Sequence, residues 1–208
     1  MIEKDKLSEA EFERLDSMME FERKYSECKY ICGVDEVGRG PLAGPVVACA
    51  IILPKETYFE YLNDSKKVTE KRREKLYGEL TSEAVAYSLG IVSAEIIDEI
   101  NILQATYKAM KEAVDGLSIK PDKILVDAVH IPDIDIPQVG IVKGDAKSVS
   151  IAAASVVAKV YRDRMMADYG KLYPEYMFEK NKGYGTKDHR DALKRIGMSP
   201  IHRKTFIH

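Results

Sequence analysis

The chain has 208 residues, 45% of them apolar and 32% charged, which fits one globular domain or one domain with a short appendage and excludes a disordered or fibrous protein. Its formal net charge is −2, so bulk electrostatics neither draws it to nucleic acid nor keeps it away. The charge is uneven, however, because residues 159–208 carry 12 Lys/Arg against 6 Asp/Glu. This basic region is either an ordinary solvated surface or a phosphate-binding face beside a carboxylate site.

Neither export nor a membrane span is expected. The longest apolar stretch, from Pro41 to Pro54, is broken by Gly44 and Pro45 and is too short for a membrane helix, which needs roughly 20 apolar residues. The N-terminus is charged and lacks the apolar core of a signal peptide. Three cysteines cannot all pair, and they do not show zinc-site spacing. We therefore expect a cytoplasmic protein with reduced, buried thiols.

The first predicted element is an amphipathic helix over residues 8–27, because Ser8 and Glu11 stand at capping-box spacing before an apolar stripe. We expect this helix to form an N-terminal extension, residues 1–29, of a domain spanning 30–208. The extension could bind a partner, but packing on the sheet edge is the favoured expectation. From Tyr30 the pattern becomes extended, and the runs YICGVDE, PVVACAIIL and AVAYSLGIV predict three strands. A helix opened by Thr69 separates the second and third strands.

The second half of the chain alternates helices with strands. Ser93 is placed to cap a helix, and a further helix is predicted over 101–115, ended by Gly116. Its apolar face would consist of Leu103, Tyr107, Met110 and Val114. Strands are predicted at KILVDAV and at 139–142, followed by a long alanine-rich helix that Ser148 or Ser150 could cap, the loop NKGYGT and a helix at 187–195. This order predicts an α/β fold with a mixed sheet and helices on both faces.

Four acidic residues stand at predicted element ends. Asp35 and Glu36 end an apolar strand, Asp127 ends the run ILV, and Asp145 stands at the entry to the alanine-rich helix. Adjacent strands of an open sheet would bring them together, and a divalent cation would turn their repulsion into attraction. Hard oxygen donors without clustered His or Cys predict Mg²⁺ or Mn²⁺, and a pair of such ions about 4 Å apart serves in phosphoryl transfer.

A glycine pair, Gly38 and Gly40, flanks Arg39 just after the acidic pair. Because glycine has no side chain, this backbone can approach a ligand closely, and Arg39 can bind phosphate or the protein's own carboxylates. Taken singly, a strand-end acid is usually a solvated boundary residue, and a lone GRG is a common turn. A GRG segment that follows directly on a strand-end Asp-Glu pair is a more specific sign of a ligand site than either feature alone.

Several independent motifs in fixed order together resemble ribonuclease HII. They are GVDEVGRGPLAGPVVACAIIL, NDSKK at 63–67, LVD at 125–127, KGDAKSVSIAAASVVAKVYRD at 143–163, NKGYGT at 181–186 and HRKTF at 202–206. The resemblance runs from about residue 30 to 207. The 29 residues before it are too few for the additional N-terminal domain of the related ribonuclease HIII type, which favours type HII.

The resemblance implies a ribonuclease H-like, five-stranded mixed sheet flanked by helices, with a helical C-terminal portion. It implies that Asp35, Glu36, Asp127 and Asp145 are catalytic ligands of two Mg²⁺ or Mn²⁺ ions, with Asp35 bridging. The implied reaction is in-line attack of an activated water that hydrolyses RNA paired to DNA. The implied activity includes nicking 5′ of a single ribonucleotide embedded in duplex DNA, giving 5′-phosphate and 3′-hydroxyl ends.

The same resemblance implies a substrate-binding set. Gly38, Arg39 and Gly40 would contact the 2′-hydroxyl that distinguishes RNA from DNA, and Tyr184 would pack on the sugar at the ribonucleotide junction. Many family members carry glycine where this chain has Ala128.

Basic side chains near these motifs are candidate phosphate contacts. The candidates are Lys143, Lys147, Lys182 and Arg203, of which Lys147 and Lys182 are retained as substrate-binding residues. For Asp163, His189 and His202 we expect structural roles.

Two other functions share parts of this pattern. Another two-metal polynucleotidyl transferase, such as a junction resolvase or integrase, would need clustered acids but no 2′-hydroxyl contact. A non-catalytic nucleic-acid binder would tolerate loss of the acids. The GRG segment, Tyr184 and the presence of all four acids favour the ribonuclease. We expect a monomer acting on RNA·DNA hybrids or ribonucleotide-containing duplex DNA, since no large exposed apolar stripe demands association.

Overall fold

A computed structural model describes residues 7–207 of the chain. Its five strands form one sheet in the order β3-β2-β1-β4-β5. The strands are β1 (Ile31–Val37), β2 (Val46–Ile52), β3 (Ala86–Val92), β4 (Lys123–Asp127) and β5 (Gln138–Ile141). β2 pairs antiparallel with β1 and β3, whereas β4 pairs parallel with β1 and β5. The predicted mixed five-stranded sheet is therefore confirmed.

Helices flank this sheet and make up the C-terminal portion. They are α1 (Glu9–Ser17), α2 (Glu20–Lys24), α3 (Glu70–Glu83), α4 (Ala94–Asp115), α5 (Val149–Leu172), α6 (Phe178–Asn181) and α7 (Lys187–Ile196). Short 3₁₀ turns occur at Gly144–Ala146, Pro174–Tyr176 and Lys204–Phe206. Among residues 7–207, no helix is long and apolar enough to span a membrane.

The hydrophobic core lies on both faces of the sheet. Side chains of β2 alternate between the faces, as the period of a strand requires. Val47, Cys49 and Ile51 pack in the cluster that includes α5, whereas Ala48 and Ala50 pack in the cluster that includes α4. All seven residues of β2 are buried, because helices cover the sheet on both sides.

The backbone of α5 lies directly against β1. A Cβ atom placed on Gly33 would come within 2.1 Å of the carbonyl carbon of Ser150, so only glycine fits at this contact. Ala152, Ala153 and Ala154 are fully buried in the following turn. Their small volume lets the helix approach the sheet, and this approach fixes α5 relative to the acidic residues of β1.

The N-terminal segment differs from the single helix predicted over 8–27. It forms α1 and α2, which are separated at Met18 and Met19, because both methionine side chains turn into the core beside α5. Ser8 caps α1 by accepting a hydrogen bond from the Glu11 amide at 3.3 Å. Both helices pack on the α5 side of the sheet, and α2 joins the cluster that includes Ile141 of the edge strand β5.

The apolar face predicted for the helix after Asn101 is also partly wrong. Asn101 has a φ of 66° and interrupts α4, and its side chain caps the second half by accepting from the Leu103 amide at 3.0 Å. Leu103 is 41% exposed, whereas Ala105 and Ala109 are fully buried. The close approach of this helix to Gly90 of β3 selects alanine at the contact and turns the longer leucine outward.

The C-terminal tail is joined to α7 by a chain of hydrogen bonds through two buried histidines. The Ser199 amide donates to His202 Nδ1 at 2.9 Å, so the proton of His202 sits on Nε2. That proton points at His189 Nε2, 2.8 Å away, and His189 Nδ1 then donates to the Tyr184 carbonyl at 2.9 Å. The chain requires both imidazoles to be neutral, and it confirms structural roles for both.

This histidine chain predicts acid sensitivity of folding. Burial, together with the neighbouring His189, lowers the pKa of His202 to about 4 from its ordinary 6.5. Above pH 6.5 both folded and unfolded chains hold this histidine neutral. As the pH falls from 6.5 towards 4, the unfolded chain takes up a proton that the folded protein excludes, so the free energy of unfolding decreases by up to about 1.4 kcal/mol per pH unit.

Chemical denaturation of the wild type and His202→Gln between pH 7.5 and 4.5 tests this expectation. The variant should be less stable at pH 7.5 but should lose less stability on acidification. His130→Gln, at an exposed position, is the control and should keep the wild-type slope. Parallel curves for wild type and His202→Gln would contradict the assignment.

Candidate active site

The four acidic residues line one cleft at the end of β1 and β4. Asp35 and Glu36 belong to β1, and Asp127 ends the parallel neighbour β4, one residue beyond the pair formed by Val34 and Val126. Asp145 lies in the 3₁₀ turn that follows β5. The cleft has a volume of about 200 Å³, and all four carboxylates border it. The parallel pairing of β1 with β4 brings Asp35, Glu36 and Asp127 to the same end of the sheet, and the turn after β5 adds Asp145.

Burial and repulsion between neighbouring acids raise the pKa of Asp35, Glu36 and Asp145. Burial raises the pKa of Asp35, which is only 6% exposed, and the charges of Glu36 and Asp127 raise it further. Burial also raises the pKa of Glu36, against the opposing charge of Arg39, and that of Asp145. The cleft therefore holds an excess of negative charge, which a cation would relieve.

These oxygens do not form a finished coordination shell. Between residues 7 and 207, no three Asp, Glu, His or Cys side chains converge closely enough to hold a metal ion as they stand. Two of the carboxylates accept hydrogen bonds from protein groups. Asp127 Oδ1 accepts from the Gly144 amide at 2.7 Å, and Glu36 Oε1 accepts from Arg39 Nη1 at 3.4 Å. The donor chemistry nevertheless fits Mg²⁺ or Mn²⁺, since every candidate ligand is a hard carboxylate oxygen.

Four further polar residues of the cleft escaped the sequence analysis: Ser65, Lys66, Ser155 and Lys159. Ser155 hydrogen-bonds to Asp35, and its Oγ lies 3.0 Å from Ser65 Oγ, so a hydroxyl pair joins the central acid to the NDSKK segment. Lys159 pairs with Asp163 at 2.8 Å, the structural role expected for Asp163. Ser155, Lys159 and Asp163 stand four residues apart and so lie on one face of the otherwise apolar helix α5, which is the sequence signal that could have identified Ser155 and Lys159.

A buried arginine holds the backbone of the Gly38–Gly40 segment from the protein interior. Arg203 is fully buried and donates to the carbonyls of Gly38 at 2.6 Å, Arg39 at 2.9 Å and Gly44 at 3.0 Å. Its candidate role as a phosphate contact is therefore wrong, because its guanidinium is buried and donates its hydrogen bonds to backbone carbonyls. The sequence shows only a basic tail and does not indicate that Arg203 folds inward.

A second buried arginine joins this segment to the Tyr184 loop. Arg162 donates to the Ala43 carbonyl at 3.1 Å and to the Lys182 carbonyl at 2.9 Å. As a result Tyr184 comes to the cleft, and its Cε1 would lie 3.9 Å from a Cβ atom placed on Gly40. Tyr184 thus lies next to Gly40 and lines the cleft that the four carboxylates border.

The retained lysines are not brought to the cleft. Lys147 is exposed outside the cleft lining, and Lys182 directs its Nζ to the Glu179 carbonyl at 2.7 Å. Lys66 and Lys159 are the lysines that line it among the described residues. Ala128, which follows Asp127, has a φ of 58°. Glycine adopts this left-handed conformation without strain, which accounts for the glycine in the family pattern.

Comparison with known proteins agrees with this architecture. A model of the family "Ribonuclease HII" matches residues 32–208. Ribonuclease HII of Lachnoclostridium phytofermentans is 57% identical over 198 residues, 95% of this chain and 78% of that protein. The enzyme of Caldanaerobacter subterraneus subsp. tengcongensis is 56% identical over 201 residues, 96% of this chain and 83% of that protein.

Solved structures give the same result for the fold. The crystal structure of ribonuclease H2 from Pyrococcus horikoshii superposes with a TM-score of 0.70 at 30% identity, covering 85% of this chain and 93% of that one. This match confirms the ribonuclease H-like arrangement of the sheet and its helices. With its family model matched over residues 32–208, the chain belongs to the ribonuclease HII family and is an endoribonuclease.

Proposed function

We propose that this protein is a metal-dependent endonuclease that hydrolyses the RNA strand of RNA·DNA hybrids. The proposal includes nicking on the 5′ side of single ribonucleotides in duplex DNA, with 5′-phosphate and 3′-hydroxyl products. One observation carries it: Tyr184 lines the same cleft as the four carboxylates and lies next to Gly40. Membership of the ribonuclease HII family supports the substrate class.

In this proposal Asp35, Glu36, Asp127 and Asp145 hold two Mg²⁺ or Mn²⁺ ions. When bound, such ions supply the Lewis acidity that activates a water for in-line attack on phosphorus and stabilises the leaving 3′-oxygen. The chain's own part is to orient the carboxylates: the hydrogen bond from Ser155 and a 2.8 Å bond from the Glu36 amide both hold Asp35. No side chain has to act as nucleophile.

Two groups of residues would place the substrate. Lys66 and Lys159 add positive charge at the cleft, where the scissile phosphate would lie, and Asp163 holds Lys159 in place. The ring of Tyr184 would pack on the sugar while its hydroxyl and the glycine backbone meet the 2′-hydroxyl. Because Arg203 and Arg162 fix both loops before substrate arrives, little ordering is left for binding. Lys147 and Lys182 would contact phosphates further along the duplex.

The proposal further describes a monomer in the cytoplasm. Cys28, Cys32 and Cys49 are all free, and the last two are buried. Unpaired, buried thiols fit a reducing compartment.

The proposed activity is tested with matched duplexes. A DNA duplex with one ribonucleotide should be nicked 5′ of that residue in Mg²⁺ or Mn²⁺, whereas its all-DNA twin should stay intact. Chelation should abolish cleavage, because the carboxylates alone cannot activate water. Cleavage of both duplexes would point to a junction resolvase or integrase activity, and binding without cleavage would indicate a non-catalytic binder.

Asp35→Asn tests the central carboxylate. We expect kcat to fall at least about 100-fold, since even outer-shell partners of metal ligands contribute 10- to 100-fold. The variant should unfold at the wild-type temperature or above, because it removes a buried charge without changing shape. Full activity in a folded variant would remove Asp35 from the mechanism.

Tyr184→Phe tests discrimination of the sugar. Losing the hydroxyl should lower kcat/KM on the single-ribonucleotide duplex about 10-fold, the value of one hydrogen bond, with unchanged affinity for the all-DNA twin. Tyr87→Phe, at an exposed tyrosine on β3, is the matched control. Equal rates for the two variants would show that the Tyr184 hydroxyl does not read the substrate.

A further inference from the structure

The N-terminal extension makes contacts that the proposed function does not use. The family model begins at residue 32, after both α1 and α2. The two helices nevertheless contact the two segments that border the cleft. We name these the lysine loop (residues 57–68), which carries Ser65 and Lys66, and the aspartate turn (residues 143–148), which carries Asp145.

The first contact is made at the start of α5. The leading N–H groups of a helix have no partner within the helix and must find one elsewhere. The Val149 amide donates to the Met18 carbonyl at 3.1 Å, and the Ser150 amide donates to Glu22 Oε1 at 3.0 Å. Only the next amide is capped locally, by Ser148. The extension thus satisfies two of the first three donors of α5.

The Glu22 side chain is held there at an energetic cost. Its Oε1 also accepts a 2.5 Å hydrogen bond from the Ser148 hydroxyl, whereas its Oε2 is buried with no hydrogen-bond partner in the described structure. Burial raises the pKa of Glu22, and the bonds from Ser148 and Ser150 oppose this. A buried acid with an unpaired oxygen is unfavourable unless its other contacts compensate. Its position at the amino end of α5 provides such compensation.

The aspartate turn is continuous with this capped end. The amides of Lys147 and Ser148 both donate to the Gly144 carbonyl at 2.9 Å. Ser148 is therefore both the last residue of the turn and the N-cap of α5. Asp145 lies inside the turn. Two residues of this hydrogen-bonded turn, Ala146 and Lys147, separate Asp145 from Ser148.

The second contact anchors the lysine loop. Glu11 Oε1 accepts from the Tyr61 amide at 2.8 Å, and Arg14 Nη1 donates to the Leu62 carbonyl at 2.8 Å. Arg14 and Glu11 also pair with each other at 2.7 Å, which fixes both side chains on α1. The extension therefore contacts both the lysine loop and the aspartate turn.

We propose that residues 8–24 are a positioning element for the active site, with Glu22 as the positioning residue for Asp145. The extension sets the spacing between the lysine loop and the aspartate turn, and thereby the approach of Asp145 to the other carboxylates. The inference rests on the proposed function for its catalytic consequence, but the structural coupling is independent of it.

Glu22→Ala, Glu22→Gln and the control Glu20→Ala, at an exposed position on the same helix, test this inference. In hydrogen exchange, amides of residues 144–151 should exchange at least about 10-fold faster in Glu22→Ala than in wild type, while those of β2 stay unchanged. Glu22→Gln should remain close to wild type, because its amide oxygen accepts the same two hydrogen bonds.

The catalytic readout uses the ribonucleotide-containing duplex. Glu22→Ala should need an about 10-fold higher Mg²⁺ concentration for half-maximal rate, the lower end of the 10- to 100-fold effect of groups that orient metal ligands. The KM for the duplex should stay within about twofold. Equal exchange of residues 144–151 in Glu22→Ala and Glu20→Ala overturns the inference. If the wild type does not cleave the duplex, the proposed function fails, and the exchange measurement still decides the positioning role.

Discussion

The contact between the α5 backbone and β1 at Gly33 is the constraint on which the cleft depends. Any side chain at Gly33 would collide with the carbonyl of Ser150, so the helix approaches the sheet as closely as backbone atoms allow. This approach sets Ser155 and Lys159 beside the strand that carries Asp35 and Glu36. A bulkier contact would move these polar groups away from the acids and open the cleft.

The close packing has an electrostatic consequence. Asp35 is buried beside two other acids, and burial and repulsion both raise its pKa. In the described structure the nearest compensating groups are Ser155, a backbone amide and, for Glu36, the partly exposed Arg39. The protein has thus gathered more negative charge than its own cations neutralise at this point. Such an arrangement is poor for stability and suits a site that receives divalent cations.

Two buried arginines hold the loops that carry the glycine segment and Tyr184. Arg162 and Arg203 are both fully buried, and their guanidinium groups donate to backbone carbonyls of residues 38–45 and of Lys182. Several donors in a fixed plane can satisfy many carbonyls at once, which no lysine could do. The loops bearing the glycine segment and Tyr184 are therefore held by charge-assisted hydrogen bonds from the interior, while their outer surfaces stay free for a ligand.

The sequence by itself determined the elements and the four acids. Short apolar runs predicted the strands, and Ser8, Ser93 and Ser148 marked helix starts. Acids at strand ends predicted a carboxylate cluster. These signals depend only on neighbouring residues. The break in the N-terminal helix and the outward turn of Leu103 were missed, since each depends on packing against a distant element.

Only the tertiary structure decided which polar residues join the cleft. Arg203 and Lys147 are both basic residues in motifs, yet Arg203 folds inward and Lys147 stays outside, while Lys159 enters from the middle of an apolar helix. The contact of Glu22 with Ser148 joins residues 126 positions apart. Local pattern carries no information on such distances, because they are set by how the helices pack on the sheet.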